Sequence, residues 1–167
     1  MKNQLRFLLL LLLGISISAC NQEDDVEGIF TGKTWKLTGI FENGSPERMC
    51  MDYWNGNSDA YHHSVDLLGN NSMFYLTFNG LSDGDVIRGS FAGQATTTQL
   101  SGEWSADAVS RNFAVSMQSL SDADILGKAM IEGLRNATSY GGDYNNLRIY
   151  FKRGTSERHL LFHVANQ

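Results

Sequence analysis

The sequence predicts a mainly β domain of the α+β class, a small curled antiparallel sheet or barrel with one amphipathic helix before a C-terminal hairpin. Three observations predict it. About seven short segments alternate apolar and polar residues, turn residues separate them, and the period changes once, near residue 121, to that of a helix. With 167 residues, 42% of them hydrophobic, we expect one folded domain, residues 32–167.

The first five strands follow one another along the chain with clear alternation. The first runs from Thr34 to Phe41, with Gly39 as a candidate bulge. The next four are predicted at residues 73–78, 86–91, 96–104 and 113–117. Asp83-Gly84-Asp85 is typical of a hairpin turn between two of them.

One helix and a terminal hairpin complete the predicted fold. Ser121 is a candidate N-cap, and apolar spacings of three and four predict a helix that ends near residue 137. Two alternating strands then flank a turn at residues 153–156. The segment between residues 42 and 71 is long for a loop, so we expect it to hold local structure or a function.

The charge pattern argues against a nucleic-acid partner. The chain has 13 Lys and Arg against 18 Asp and Glu, a formal net charge of −5. The basic residues are scattered singly and form no stripe along the predicted strands or helix.

The first nineteen residues predict an export signal. Lys2 and Arg6 precede an apolar run that breaks at Ser16, which is short of the about 20 residues that a transmembrane helix needs. Residues 17–20, Ile-Ser-Ala-Cys, resemble the lipobox of bacterial lipoproteins. That resemblance implies cleavage before Cys20 and a membrane anchor on its thiol. Cys50 would then be the remaining thiol, so we expect no intrachain disulfide.

Residues 20–31 are predicted to be a flexible acidic tether, because a polar segment without apolar periodicity buries little surface. Glu23, Asp24 and Asp25, close behind the cysteine, resemble the lipoprotein export signal of Bacteroidetes. We therefore expect an outer-membrane lipoprotein, on the periplasmic or cell-surface face, with these acids favouring the surface.

Four short motifs carry a family resemblance: Trp35-Lys36-Leu37, Leu76-Thr77-Phe78, residues 89–93 and Gly102-Glu103-Trp104. Together with the closing strands they resemble the META domain, also called HslJ-like, over residues 33–164. The resemblance implies a β-rich fold, an envelope location and no agreed enzymatic activity. The Gly-Cys-Asn that this family often has is replaced by Gly-Gln-Ala at residues 93–95. The alternative, indicated by residues 32–35, is a lipocalin-like barrel that encloses a ligand cavity.

The segment at residues 50–63 is the strongest candidate for a binding site. It interleaves aromatic rings with amides and a carboxylate: Tyr53, Trp54, Asn55, Asn57, Asp59 and Tyr61. Rings can stack on the C–H face of a sugar while amides and carboxylates bind its hydroxyls. The alternative is that the rings pin the segment onto the sheet, since aromatic side chains bury large apolar areas.

A metal site is not expected. Asn55, Asn57, Asp59 and Asp66 match four positions of a calcium loop, but Ala60 stands where the sharp turn requires glycine. The residue at the last position is Asp rather than the bidentate Glu of that loop.

Catalytic residues and cofactors are not expected either. Cys50 would need a neighbouring histidine, such as His62 or His63, to become a nucleophile, and the sequence does not bring them together. We therefore expect a non-enzymatic, lipid-anchored envelope protein that recognises a partner protein or a glycan. The alternative is a small-molecule carrier with a lipocalin-like cavity.

Overall fold

The computed structural model describes residues 25–44 and 49–165, so the predicted signal, Cys20 and the first tether residues lie outside the described chain. The described helices are α1 (Val26–Phe30), α2 (Ser58–Leu68) and α3 (Ile125–Arg135), with a 3-10 helix at Met51–Trp54. The described strands are β1 (Thr34–Glu42), β2 (Tyr75–Asp83), β3 (Val86–Gln94), β4 (Gln99–Asp107), β5 (Phe113–Met117), β6 (Ala137–Gly142), β7 (Asn146–Arg153) and β8 (Ser156–Val164).

These eight strands form one sheet in the order β5-β4-β3-β2-β1-β8-β7-β6, and each pairs antiparallel with its neighbours. The sheet curls until its two edges approach each other, where a single bridge joins Asn112 to Ser139. It does not close into a continuous barrel. The predicted class, a curled antiparallel sheet with a helix before the last hairpin, is confirmed.

Local turn chemistry also matches the prediction. Gly84 and Gly154, each with φ near +61°, occupy two-residue hairpin turns between β2 and β3 and between β7 and β8. The register of β1 against β8 shifts between Leu37 and Gly39, which is the predicted bulge. The bulge changes which residues of β1 face the core, so that Ile40 is buried after it.

Side chains fill the inside of the curl. The ring of Phe30 is fully buried and lies within 5.3 Å, centroid to centroid, of four others: Phe78, Trp104, Phe113 and Tyr140. Helix α3 adds a second apolar layer from its buried face, at Leu126, Ala129, Met130, Ile131 and Leu134. The predicted amphipathic helix therefore packs into the sheet and contributes to its core.

Three elements differ from the sequence prediction, which has one helix and about seven strands. Helix α2 lies in the segment that was expected to hold local structure, and the other two elements are α1 and β6. Helix α1 lies within the predicted tether, yet Val26, Ile29 and Phe30 are buried in the core. Strand β6 was not predicted, because Tyr140 is the one buried residue in its six. The folded domain therefore extends to Asp25, and the sheet gains a strand between α3 and the terminal hairpin.

The N-cap of α3 is Asp124 and not the predicted Ser121. The Asp124 carboxylate accepts hydrogen bonds from the backbone N–H groups of Leu126 and Gly127, at 2.8 and 3.3 Å. The nearby carboxylate of Asp122 has another role. It accepts backbone N–H groups of Thr96, Thr97 and Thr98 in the turn between β3 and β4, and thereby ties that turn to the start of α3.

Candidate functional site

The segment that the sequence singled out, residues 50–63, folds against the core. Trp54 is only 2% exposed, and its indole N–H donates to the Ser64 hydroxyl at 3.0 Å. That hydroxyl donates in turn to the Asp124 carboxylate at 2.9 Å. The half-buried Tyr61 ring packs perpendicular to Trp54 at 5.2 Å. The rings do not form an exposed row, and their burial favours the alternative interpretation, that they pin the segment in place.

The polar residues of this segment shape the start of α2. Asn55 adopts a left-handed conformation with φ of 48°, and the Asn57 side chain caps the helix by accepting from the N–H of Ala60 at 3.0 Å. Asp59 is exposed in the first turn of that helix. No group of three or more metal-ligating His, Cys, Asp or Glu side chains occurs among the described residues, and the calcium-loop pattern instead spans a capped helix.

The third ring of the segment, Tyr53, is held by charged groups at one end of the sheet. The Arg153 guanidinium lies 4.1 Å from the centre of the Tyr53 ring, and that of Arg158 lies 5.1 Å away. Both arginines contact the Asp52 carboxylate, at 2.9 and 2.8 Å. Burial raises the pKa of Tyr53 to about 12, so the phenol stays neutral. We call Asp52, Tyr53, Arg153 and Arg158 the arginine clamp.

Cys50 lies beside this clamp and is 8% exposed. Burial raises the pKa of its thiol, which disfavours the thiolate that a nucleophile requires, and Arg158 opposes that effect. His62 and His63 are exposed on α2. The charged groups that act on the Cys50 thiol are not these histidines but Arg158, Asp52, Glu42 and Arg153.

A different aromatic cluster faces away from the core, on the outer side of the sheet. Phe41 of β1 pairs with His159 of β8, which pairs with Tyr150 of β7. Each of the three is half-buried and has buried neighbours on the opposite face. We call Phe41, His159 and Tyr150 the aromatic row.

The rings of the aromatic row are regularly spaced. Phe41 stacks on His159 with centroids 5.7 Å apart and planes 27° apart, and Tyr150 follows at 5.6 Å. Burial, with a smaller contribution from Arg148, lowers the pKa of His159. The imidazole is therefore neutral near pH 7 and acts as a third flat ring. The row places three rings next to one another across three strands.

Polar groups border the row next to Tyr150. A cleft of about 200 Å³ is lined by Asn43, Thr138, Ser139, Tyr150, Phe151, Lys152 and Glu157. Asn43 donates to the Glu157 carboxylate at 3.5 Å, and Thr138 donates to the Tyr150 carbonyl at 3.4 Å. Hydroxyl, amide, ammonium and carboxylate groups thus lie close to an aromatic residue, an arrangement that suits a ligand with both apolar and hydroxylated surfaces.

Part of this row could have been found in the sequence. The turn at Gly154 and Thr155 pairs Arg153 with Ser156, and counting back along both strands places Tyr150 opposite His159. Phe41 could not be added in that way, because its pairing with His159 is non-local and follows the bulge at Gly39.

The fold and this outer face define a single β-rich domain with its interior filled. Residues 21–164 match the family model described as a domain of unknown function, DUF4847, and the chain belongs to that family. The crystal structure of a DUF4847 family protein from Bacteroides vulgatus ATCC 8482 is similar, with a TM-score of 0.60 at 24% identity. The match covers 85% of this chain and 99% of that one, and it shows the fold alone.

No curated protein matches the chain. The predicted resemblance to the META domain is not confirmed by these comparisons, which identify DUF4847 instead. None of the helices in the described part of the chain has the length and apolar content that crossing a membrane requires.

Proposed function

We propose that this chain is a lipid-anchored protein of the bacterial cell envelope whose β domain binds a glycan through the aromatic row. The observation that carries the binding proposal is the alignment of Phe41, His159 and Tyr150 across three adjacent strands, on the face opposite the core. Aromatic faces take the C–H side of a sugar ring, and the bordering polar cleft supplies donors and acceptors for its hydroxyls.

Two observations support the anchor at Cys20. The lipobox-like motif ends there, and the family match begins at residue 21, directly behind it. The similar solved protein comes from a Bacteroides species, and the acids at residues 23–25 resemble the export signal of that bacterial group. We therefore propose an outer-membrane location.

The filled interior argues for a surface site over an internal one. In a lipocalin-like carrier, the ligand would lie inside the sheet. Here Phe30 and α3 occupy that space. The segment with Tyr53 and Trp54 is also less suited to binding, because Trp54 is buried and Tyr53 is engaged with the arginine clamp.

The proposal is tested by glycan-array binding of the full lipidated chain in detergent. Tyr150→Ala should weaken retention of the bound glycan about fivefold, because stacking on that ring contributes an energy on the order of 1 kcal/mol. Tyr75→Ala is the matched control: Tyr75 is also half-buried, and it pairs with Lys36, toward the opposite end of β1 from Phe41.

Thermal unfolding of both variants checks that the fold is intact. Equal retention by wild type and Tyr150→Ala, or an equal loss in both variants, would contradict the assignment of the site. A folded wild-type protein that retains no glycan would contradict the ligand class.

A further inference from the structure

The folded domain starts very close behind the proposed anchor. The α1 helix has Asp25 as its N-cap, and five peptide steps separate this residue from Cys20. Such a segment spans at most about 17 Å even when fully extended. A folded chain of this size has a radius of gyration of roughly 14 Å, so its diameter exceeds that reach. The lipid surface is therefore accessible mainly to the end of the domain at which α1 begins.

Three turns of the sheet gather at that end. The Glu27 carboxylate accepts from the Ser82 hydroxyl at 2.7 Å, beside the turn between β2 and β3. The N–H of Ala108, after β4, donates to the carbonyl of Asp85 in the same turn at 2.8 Å. The hydroxyl of Tyr144, between β6 and β7, donates to Asp25 at 3.0 Å. We call α1 and these three turns the anchor end.

Large apolar side chains are exposed at the anchor end. Leu81 is 78% exposed, Val109 is 73% exposed and Tyr144 is 54% exposed, one near each of the three turns. Among the described residues one more large hydrophobic side chain is comparably exposed, Met51, and it lies beside the arginine clamp on the 3-10 helix. Exposed apolar residues are thus concentrated where the chain leaves toward Cys20.

The charges at this end restrict the kind of lipid. Exposed carboxylates surround the three turns, at Asp25, Glu27, Asp83, Asp85 and Asp143. They outnumber the basic side chains there, Lys33, Arg88 and Arg111. An anionic bilayer repels such a surface, whereas a zwitterionic bilayer does not.

We propose that the anchor end is a lipid-contacting surface, with Leu81, Val109 and Tyr144 in the interfacial region of a zwitterionic bilayer. This inference rests on the proposed lipid anchor. The anchor supplies the attachment, and the short tether then holds these side chains within reach of the headgroups, where apolar burial and an amphipathic tyrosine are favourable. The domain has a fixed orientation on the membrane as a consequence.

Environment-sensitive fluorophores on introduced cysteines test the orientation. The full lipidated chain is reconstituted in phosphatidylcholine vesicles with single labels at Val109→Cys, Tyr144→Cys and, as control, Met51→Cys. The Cys20 thiol is acylated under the proposal and Cys50 is buried, so labelling of the parent chain provides the background. We expect a blue shift and several-fold stronger quenching by spin-labelled lipid at positions 109 and 144 than at 51.

Two further arms separate the possible outcomes. Added phosphatidylglycerol should reduce the shift at positions 109 and 144, and Leu81→Ser should reduce quenching at 144. Equal signals at all three positions, or a stronger shift in anionic vesicles, would overturn the inference. If the orientation test fails but mass spectrometry finds Cys20 acylated, the proposed function is unaffected. An unmodified Cys20 would overturn both the anchor and the orientation.

Discussion

Helix α1 provides the sharpest test of where the folded domain begins. A chain that starts at residue 32, the boundary that the sequence predicts, lacks α1, whereas one that starts at residue 25 retains it. Phe30 contacts four aromatic rings and is fully buried, and its carbonyl accepts the indole N–H of Trp35 at 3.2 Å. We expect the shorter chain to be strongly destabilised.

The magnitude follows from burial. Loss of a buried phenylalanine ring costs about 3–5 kcal/mol of unfolding free energy. Val26 and Ile29, at 6% and 3% exposure, add about 1.5–3 kcal/mol each. The sum is comparable with the about 5–15 kcal/mol that stabilises an ordinary domain. The chain that starts at residue 32 should therefore be largely unfolded at 25 °C, and Phe30→Ala alone should lose about 4 kcal/mol.

Urea denaturation followed by circular dichroism measures this difference. The chain from residue 25 and its Phe30→Ala variant are compared, with Glu27→Ala as the control, because the Glu27 contact with Ser82 is exposed and should contribute less than about 0.5 kcal/mol. A chain from residue 32 that unfolds at the same urea concentration as the longer one would refute the role of α1 in the core.

Two further perturbations test the contacts that hold the turns and the clamp. Burial raises the pKa of Asp122, but hydrogen bonds from Thr96, Asp124 and the threonine turn outweigh it and hold the pKa below its ordinary 3.8. The stabilisation that the Asp122 carboxylate contributes is present above pH 3.8 and is lost as the pH falls through its lowered pKa. Asp122→Asn should cost about 3 kcal/mol at pH 7 and flatten the acid side of the stability curve, which urea midpoints at pH 7 and pH 3 would show. Asp52→Asn should lower the free energy of unfolding by about 2 kcal/mol, because the buried Arg158 loses its carboxylate partner. Asp59→Asn is the control and should change the stability little. Equal effects of the two substitutions in thermal unfolding would count against the arginine clamp.

The strands were the most predictable part of the fold. Alternation of buried and exposed residues is a local property, and it is clear in β2, β4 and β7. The two-residue turns at Gly84 and Gly154 were equally local, because their left-handed backbone favours glycine. Strand β6 had no such signal, since its sequence is made mostly of small residues.

Helix α1 shows why a short helix inside an acidic segment is easily predicted as a flexible tether. Val26, Ile29 and Phe30 have helical spacing, but five residues give less than two turns of periodicity. The helix is stabilised instead by long-range contacts with β2, β4 and β5, which no local pattern reveals. The same holds for the aromatic row, where the bulge at Gly39 sets the face on which Phe41 lies.

The described fold restricts where this domain can meet a ligand. The interior is occupied by Phe30 and α3, and the arginine clamp closes the end near the last hairpin. If the short tether holds the opposite end against lipid, the sides of the sheet remain, and the aromatic row lies on one of them. Anchoring and recognition would then use different surfaces, so that neither the membrane nor the tether would obstruct a bound glycan.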